Sequence, residues 1–429
     1  MTRTRAYAVV IAACALPRLA VIVHERGALL SDMEKSNILA QVLVKTGTFG
    51  YVPGEPTANT QPLYGWFLAG VYWVVGRHWW SFSVAQVVVA VATALVVYEI
   101  GRRQLSPRAG LVAALVTTLQ PYVVWHDVHG NREILDQLLG AAMFAVALAA
   151  PTLLTSAVLG VVTGIAILSN SRLVLLPVIL GLYLLWQPTA SGITKTLAAL
   201  LVPIFAAAAL APWVIRNKVE VGCFAITTDA RALWKANNAG TYETLRHGGW
   251  IDSVPDIPQR RPHPRPGPWY TPQEAGVYYA NHGVKIHLDE CAQQNHYEHL
   301  VVQFWKHHPG AKAKLMAQAT WMLWNPQVER DAGPSASVDP LRRYIEPVWV
   351  IVLYALALAG LWFVDTPFRV LAFVFVGYNT VAAWVFAGTT RYRIPFDFVL
   401  ALLAAAVLER VPLPRLSRLP LTRPSSQNR

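Results

Sequence analysis

The sequence predicts an all-α polytopic membrane protein, and three observations carry that reading. Of 429 residues, 54% are hydrophobic and only 14% charged, whereas soluble domains carry about a quarter charged residues. The apolar residues gather in blocks of bilayer-crossing length, about 20 residues or somewhat fewer where end side chains snorkel. The basic excess, a formal net charge of +12, stands at the edges of those blocks. Membrane topology explains such charge without any need for nucleic acid as a partner.

The blocks span residues 6–23, 79–100, 109–125, 134–150, 155–168, 173–186 and 196–215, then, after a long polar gap, 345–364, 368–387 and 394–408. The first could pass for a cleavable leader, but Pro17-Arg18 interrupts its end and no small-residue cleavage site follows, so it reads as a retained anchor. With Arg3 and Arg5 in the cytoplasm and one crossing per block, Arg102, Arg103 and Arg108 fall inside, as do Arg415, Arg418 and Arg423 of the tail. About ten crossings then satisfy the positive-inside tendency. Residues 63–75 are too short to span, and a crossing there would put Arg102 and Arg103 outside; they read as a juxtamembrane or re-entrant helix. The chain divides into a transmembrane core (1–215), an extracytoplasmic region (216–344), C-terminal transmembrane helices (345–409) and a basic cytoplasmic tail (410–429).

Within the polar gap, a proline-rich stretch (255–272) gives way to a helical pattern from 273 to 324. No glycine-rich phosphate loop of the nucleotide-binding kinds occurs, so nucleotide-sugar or ATP use has no sequence support. Cys223 and Cys291 can pair if both are external, but spacing alone does not settle it. His287, His296, His299, His307 and His308 lie in this gap without a ligand spacing that identifies zinc.

Ionisable residues gather on the predicted outer face. The first outer loop carries Asp32 and Glu34, acids suited to base catalysis or metal binding at the membrane surface. Ser31-Asp32-Met33-Glu34 is equally a capping box for a helix that Gly47 would end, and on this loop alone capping is the stronger reading. The second outer loop carries His126, His129 and Glu133, with Asp136 on the face of Glu133; here Asn131 could simply start a helix. Arg172, Arg216, Arg391, Tyr392 and Arg393 complete the set. Cations on that side run against the topology rule and ask for an anion such as a phosphate, or else pair with lipid headgroups.

Taken in order, Pro17-Arg18, Asp32, Gln61-Pro62-Leu63-Tyr64, Glu133, Pro212-Trp213-Val214-Ile215-Arg216-Asn217, Asn237-Asn238, the His308-to-Trp324 stretch and Arg391-Tyr392-Arg393-Ile394-Pro395 resemble the GT-C membrane glycosyltransferases. The likeness is to protein O-mannosyltransferases and bacterial aminoarabinose transferases in particular. The resemblance implies a GT-C-like bundle and an inverting transfer of a hexosyl or pentosyl group from a polyprenyl-phosphate donor. The acceptor is a hydroxyl on a glycan, lipid or protein, reached on the outer face of the cell (plasma or inner) membrane. It assigns Asp32 the role of base, with Glu133 assisting and the arginines meeting phosphate. The sequence departs from the family where Met33 separates Asp32 from Glu34 and Ser36 replaces a common tyrosine, which leaves the role of Glu34 and any divalent metal open. A transporter or flippase of a lipid-linked or anionic substrate is the main alternative, then an O-antigen ligase or polymerase. A transporter would favour repeated halves and mid-membrane charges, and the acids and arginines here gather at one face instead.

Overall fold

The computed structural model describes residues 2–30, 35–187, 192–254, 270–327 and 340–411. The described residues form α-helices with short 3-10 turns and a single isolated β-bridge between Val52 and Glu55. Among the described residues, five helices are long and apolar enough to cross a membrane, and the chain is a membrane protein.

The helices, in order, are α1 (Arg3–His24), α2 (Ser36–Thr46), α3 (Pro62–Val75), α4 (Ser81–Gln104), α5 (Pro107–Thr118), α6 (Pro121–His126), α7 (Glu133–Ala147), α8 (Leu153–Ser169), α9 (Leu176–Trp186) and α10 (Gly192–Glu220). The polar gap contributes α11 (Ala230–Lys235), α12 (Thr241–Arg246), α13 (Pro272–His282), α14 (Glu290–His307) and α15 (Pro309–Trp324). The chain closes with α16 (Pro340–Gly360), α17 (Thr366–Val385), α18 (Thr390–Arg393) and α19 (Asp397–Leu408). The expected helical pattern of the gap is thus α13 to α15, broken at left-handed Gly283 and at His308-Pro309.

Local chemistry sets the departures from the expected blocks. The block at 109–125 breaks into α5 and α6 because Pro121 has no N–H to donate and cannot continue a helix. The break is filled by Glu346 of α16, whose carboxylate accepts from Gln120 Nε2 at 2.7 Å and from the Tyr122 backbone N–H at 3.0 Å. At α7 the predicted cap is corrected: Arg132, not Asn131, occupies the N-cap, and no side chain caps the helix. Lys35 stands at the N-cap of α2, which Gly47 ends in the left-handed region at φ 73°; Ser31, Asp32, Met33 and Glu34, and with them the expected capping box, lie outside the described residues. Helix α3 has 14 residues, about 21 Å of rise and too short for a hydrocarbon core of about 30 Å.

Small residues let the spanning helices approach. On α8, Gly160 and Gly164 form a GxxxG pair against α10, where a Cβ on Gly164 would come within 2.7 Å of both Ala206 O and Ala209 Cβ. Gly101 and Gly110 do the same where α4 meets α5. The centre of the molecule is α19, buried along almost its whole length among α5, α16 and α17. Phe144 of α7 packs edge-on against Phe368, Phe375 and Phe398 there, with ring centroids 5.2 to 5.6 Å apart. A buried ion pair ties α1 to the loop before α7: Arg18 Nη2 lies 2.7 Å from Asp127 Oδ2, each side chain 1% exposed. Gln137 of α7 donates to the other carboxylate oxygen.

The two sets of connections segregate. At one end Glu99 collects Arg3, Arg102 and Arg103, and Arg108 reaches the Glu409 carbonyl at the end of α19. The loops at 127–132, 170–172 and 387–391 meet at the other end.

Candidate functional site

The site at that second end is built on the start of α7. The loop before it is fixed from below by Arg18–Asp127 and by Gln86, which donates to the carbonyls of Asp127 and His129 at 2.7 Å each. His129 in turn holds Glu25, Nε2 to Oε2 at 2.7 Å. Its backbone settled, the loop delivers Glu133, 1% exposed, among two arginines and a histidine. Arg391 Nε lies 2.8 Å from Glu133 Oε1, Arg132 Nε 3.7 Å from the same oxygen, and His126 Nε2 3.8 Å from Oε2. Arg132 also donates to Gln61 Oε1 at the start of α3, and Gln61 Nε2 donates to Ser171 Oγ at 2.8 Å.

Arg172 comes to the same cluster from the 3-10 turn between α8 and α9. Its guanidinium lies 4.2 Å from the centre of the Tyr392 ring and 5.7 Å from that of Phe386. Its Nε is buried and donates to none of the described groups. Asp136, one turn along α7 from Glu133, accepts from Asn170 Nδ2 at 3.0 Å, and Asn170 Oδ1 accepts from the Arg172 N–H. Two carboxylates and three guanidinium groups therefore meet here, a part-buried excess of positive charge that suits an anion with oxygens on several sides.

The run Arg391-Tyr392-Arg393 points in different directions. Arg391 meets Glu133 and Tyr392 stacks on Arg172, while Arg393, 0% exposed, turns inward to Asp397 at 3.1 Å, Tyr354 OH at 2.9 Å and the Asn325 carbonyl. Arg216 is also elsewhere: it pairs with Glu220 at 2.6 Å, stacks on Trp213 at 4.9 Å and donates to the carbonyls of Thr57 and Phe49. Arg216 and Arg393 are thus committed to protein partners. Asp32 and Glu34 lie outside the described residues, but the next described residue, Lys35, lines a cavity of about 510 Å³. Its wall includes Asn59, Asp229, Lys235, Asp252, Tyr270 and Tyr278. Burial pushes the Asp229 carboxyl up, Lys35 opposes that shift, Asp252 adds to it and Arg132 opposes it.

Sequence reasoning passed over Arg132 and Glu346, and it named Asp136 only as sharing a face with Glu133 and Gln61 only within the Gln61-Pro62-Leu63-Tyr64 run. The signal for Glu346 was available, since an acid inside an apolar helix needs a buried partner. Nothing in the spacing announces that Arg132 would reach α3.

Comparison with known proteins gives one family. Residues 56–215 match the family model described as dolichyl-phosphate-mannose-protein mannosyltransferase. That stretch contains Gln61, Arg132, Glu133, Asp136 and Arg172, and the resemblance read from the motifs holds there. No curated protein matches. Among solved structures, the chain is similar to ArnT from Cupriavidus metallidurans bound to undecaprenyl phosphate, at 14% identity over 92% of this chain and 77% of that one, with a TM-score of 0.39. It is also similar to the archaeal oligosaccharyltransferase AglB from Archaeoglobus fulgidus in complex with an inhibitory peptide and a dolichol-phosphate. There the identity is 12%, over 91% of this chain and half of that one, and the TM-score is 0.46.

Proposed function

We propose that the protein transfers a sugar from a polyprenyl-phosphate donor to an acceptor hydroxyl on the extracytoplasmic face of a cell membrane. The observation that carries this reading is the cluster in which Arg391 and Arg132 lie against Glu133 while Arg172 stacks on Tyr392, the neighbour of Arg391; Arg132, Glu133 and Arg172 fall in the stretch 56–215 that matches the dolichyl-phosphate-mannose-protein mannosyltransferase family model. The disulfide between Cys223 and Cys291 supports an oxidising side for residues 216–344.

In the proposed step Asp32 takes the proton of the acceptor hydroxyl as its oxygen bonds to the anomeric carbon and the bond from that carbon to the phosphate oxygen breaks. One displacement inverts the configuration. The electron pair leaves with polyprenyl phosphate, whose new charge Arg172 and Arg391 stabilise, so no acid is needed for departure. Glu133 is ion-paired with the Arg391 guanidinium. Its role is to aim Arg391 and Arg132. Glu34 is left as a second acid of the first loop, and Arg216 and Arg393 as struts.

The test supplies purified protein with labelled polyprenyl-phosphate sugars and an envelope extract as acceptor, comparing wild type with Asp32→Asn. Sugar transfer by wild type that drops at least about a hundredfold in the variant is expected. Equal rates would remove Asp32 from the chemistry, and absence of transfer with labelled lipid crossing a bilayer would replace the enzyme by a transporter.

A further inference from the structure

Two segments far apart in sequence form adjoining wall of the 510 Å³ cavity, which holds Asn59 from one and Asp229 from the other. The segments are paired just behind the wall, where Thr228 N–H donates to Ala58 O at 2.8 Å. Among the described residues, two side chains bridge them: Thr227 Oγ1 donates to Asn59 O at 3.5 Å, and Glu290 spans both segments. The carboxylate of Glu290, 7% exposed, accepts from Thr57 Oγ1 at 2.6 Å, from the Ala58 N–H at 3.1 Å and from Thr228 Oγ1 at 2.6 Å. Each threonine is one or two residues from the wall residue it supports, and Thr57 Oγ1 also accepts from the Asn59 N–H at 3.0 Å.

Glu290 is itself fixed from both sides. It opens α14, whose N-cap Asp289 accepts from Ala292 N–H at 2.8 Å, and the N-terminus of an 18-residue helix favours a carboxylate in its first turn. Its neighbour Cys291 is bonded to Cys223, Cα to Cα 5.8 Å, three residues beyond the end of α10. From α10 Arg216 donates to Thr57 O and Phe49 O. Burial pushes the Glu290 carboxyl up, while its three donors and Arg216 oppose that shift. A buried carboxylate with three donors and, among the described residues, no contacting cation has its geometry set by hydrogen bonds.

We propose that Glu290 is a positioning residue that joins residues 57–59 to residues 228–229 as one wall of the substrate cavity, with the Cys223–Cys291 bond holding Glu290 in place. The proposal rests on the cavity serving the transfer reaction, and it requires no contact between Glu290 and substrate.

The test uses the full chain in detergent with three variants: Glu290→Ala, Glu290→Gln and the pair Cys223→Ser with Cys291→Ser. Amide hydrogen exchange is read over 56–61 and 226–231, and KM and kcat are measured for the labelled donor and the envelope acceptor. Glu290→Ala is expected to speed exchange in both segments together and to raise KM for one substrate about tenfold with kcat within about threefold. Glu290→Gln, which keeps one acceptor, recovers part of both. The cysteine pair shifts exchange the same way and adds little once Glu290 is alanine, since the two act as a unit. Exchange at wild-type rates in both segments in Glu290→Ala overturns the proposal whatever the activity. Faster exchange with unchanged KM makes Glu290 a purely structural tie and also overturns it. A wild type without transfer activity counts against the functional reading, while the exchange result still decides the coupling of the segments.

Discussion

Replacing Glu133 by glutamine separates an acid that aims arginines from an acid that moves protons. Glu133 is 1% exposed and its Oε1 forms an ion pair with Arg391 Nε at 2.8 Å, with Arg132 and His126 farther off at 3.7 and 3.8 Å. Losing one partner of a part-buried ion pair falls between the roughly 0.2–1 kcal/mol of an exposed pair and the roughly 3–5 kcal/mol of a buried one. Arg391 keeps 27% of its side chain exposed, so solvent screening favours the lower end. At about 1.4 kcal/mol per factor of ten, Glu133→Gln should weaken the donor about tenfold, mostly in KM, because the arginines that meet phosphate lose their direction. A base would instead contribute about 10²- to 10⁴-fold in rate, and its loss would abolish the acid limb of the pH profile. The assay is steady-state turnover of a labelled polyprenyl-phosphate sugar from pH 5 to 9. Wild-type kinetics in Glu133→Gln would refute the role of the cluster. A loss of a thousandfold in kcat with a vanished acid limb would make Glu133 the base and displace Asp32.

Other consequences can be checked on the same preparation. Asp127→Asn strands Arg18, 1% exposed, and should cost about 3 kcal/mol, seen as a lower thermal midpoint in detergent. Gly164→Val drives a side chain into Ala206 and Ala209 and should cost about 1–3 kcal/mol, whereas Gly70→Ala, with open space around it, should be neutral or slightly stabilising. Lys312 donates to Trp384 O and Asn237 Oδ1, and burial lowers its ammonium to about 8. The unfolded chain therefore binds the proton more tightly, and stability should rise with pH from about 8 to the ordinary lysine value near 10.4. Measured as the difference in thermal midpoint between wild type and Lys312→Met, the change should favour wild type progressively over that window; a flat difference would contradict it.

The sequence made the helical blocks legible because burial in lipid and burial in protein demand the same apolar runs. It misplaced the end of the block at 109–125, where Pro121 breaks the helix and Glu346, distant in sequence, satisfies the exposed backbone. Gly47 and Gly283 ended their helices as left-handed glycines do. The cluster was legible in part: Glu133, Arg172 and Arg391 stand out as charges beside apolar blocks. Arg393 stood out for the same reason and turned inward, because Asp397, four residues on, shares its helical face. Glu290 and Arg132 gave no such signal, since their partners come from loops whose approach depends on the whole bundle.

The most direct measurement of the central claim is made in proteoliposomes holding the wild-type protein, a labelled polyprenyl-phosphate sugar and an envelope acceptor. Label leaving the lipid and appearing on acceptor, with polyprenyl phosphate formed in equal amount and the anomeric configuration inverted, is the predicted result. Intact labelled lipid moving between leaflets, with none of it converted to polyprenyl phosphate, would contradict it.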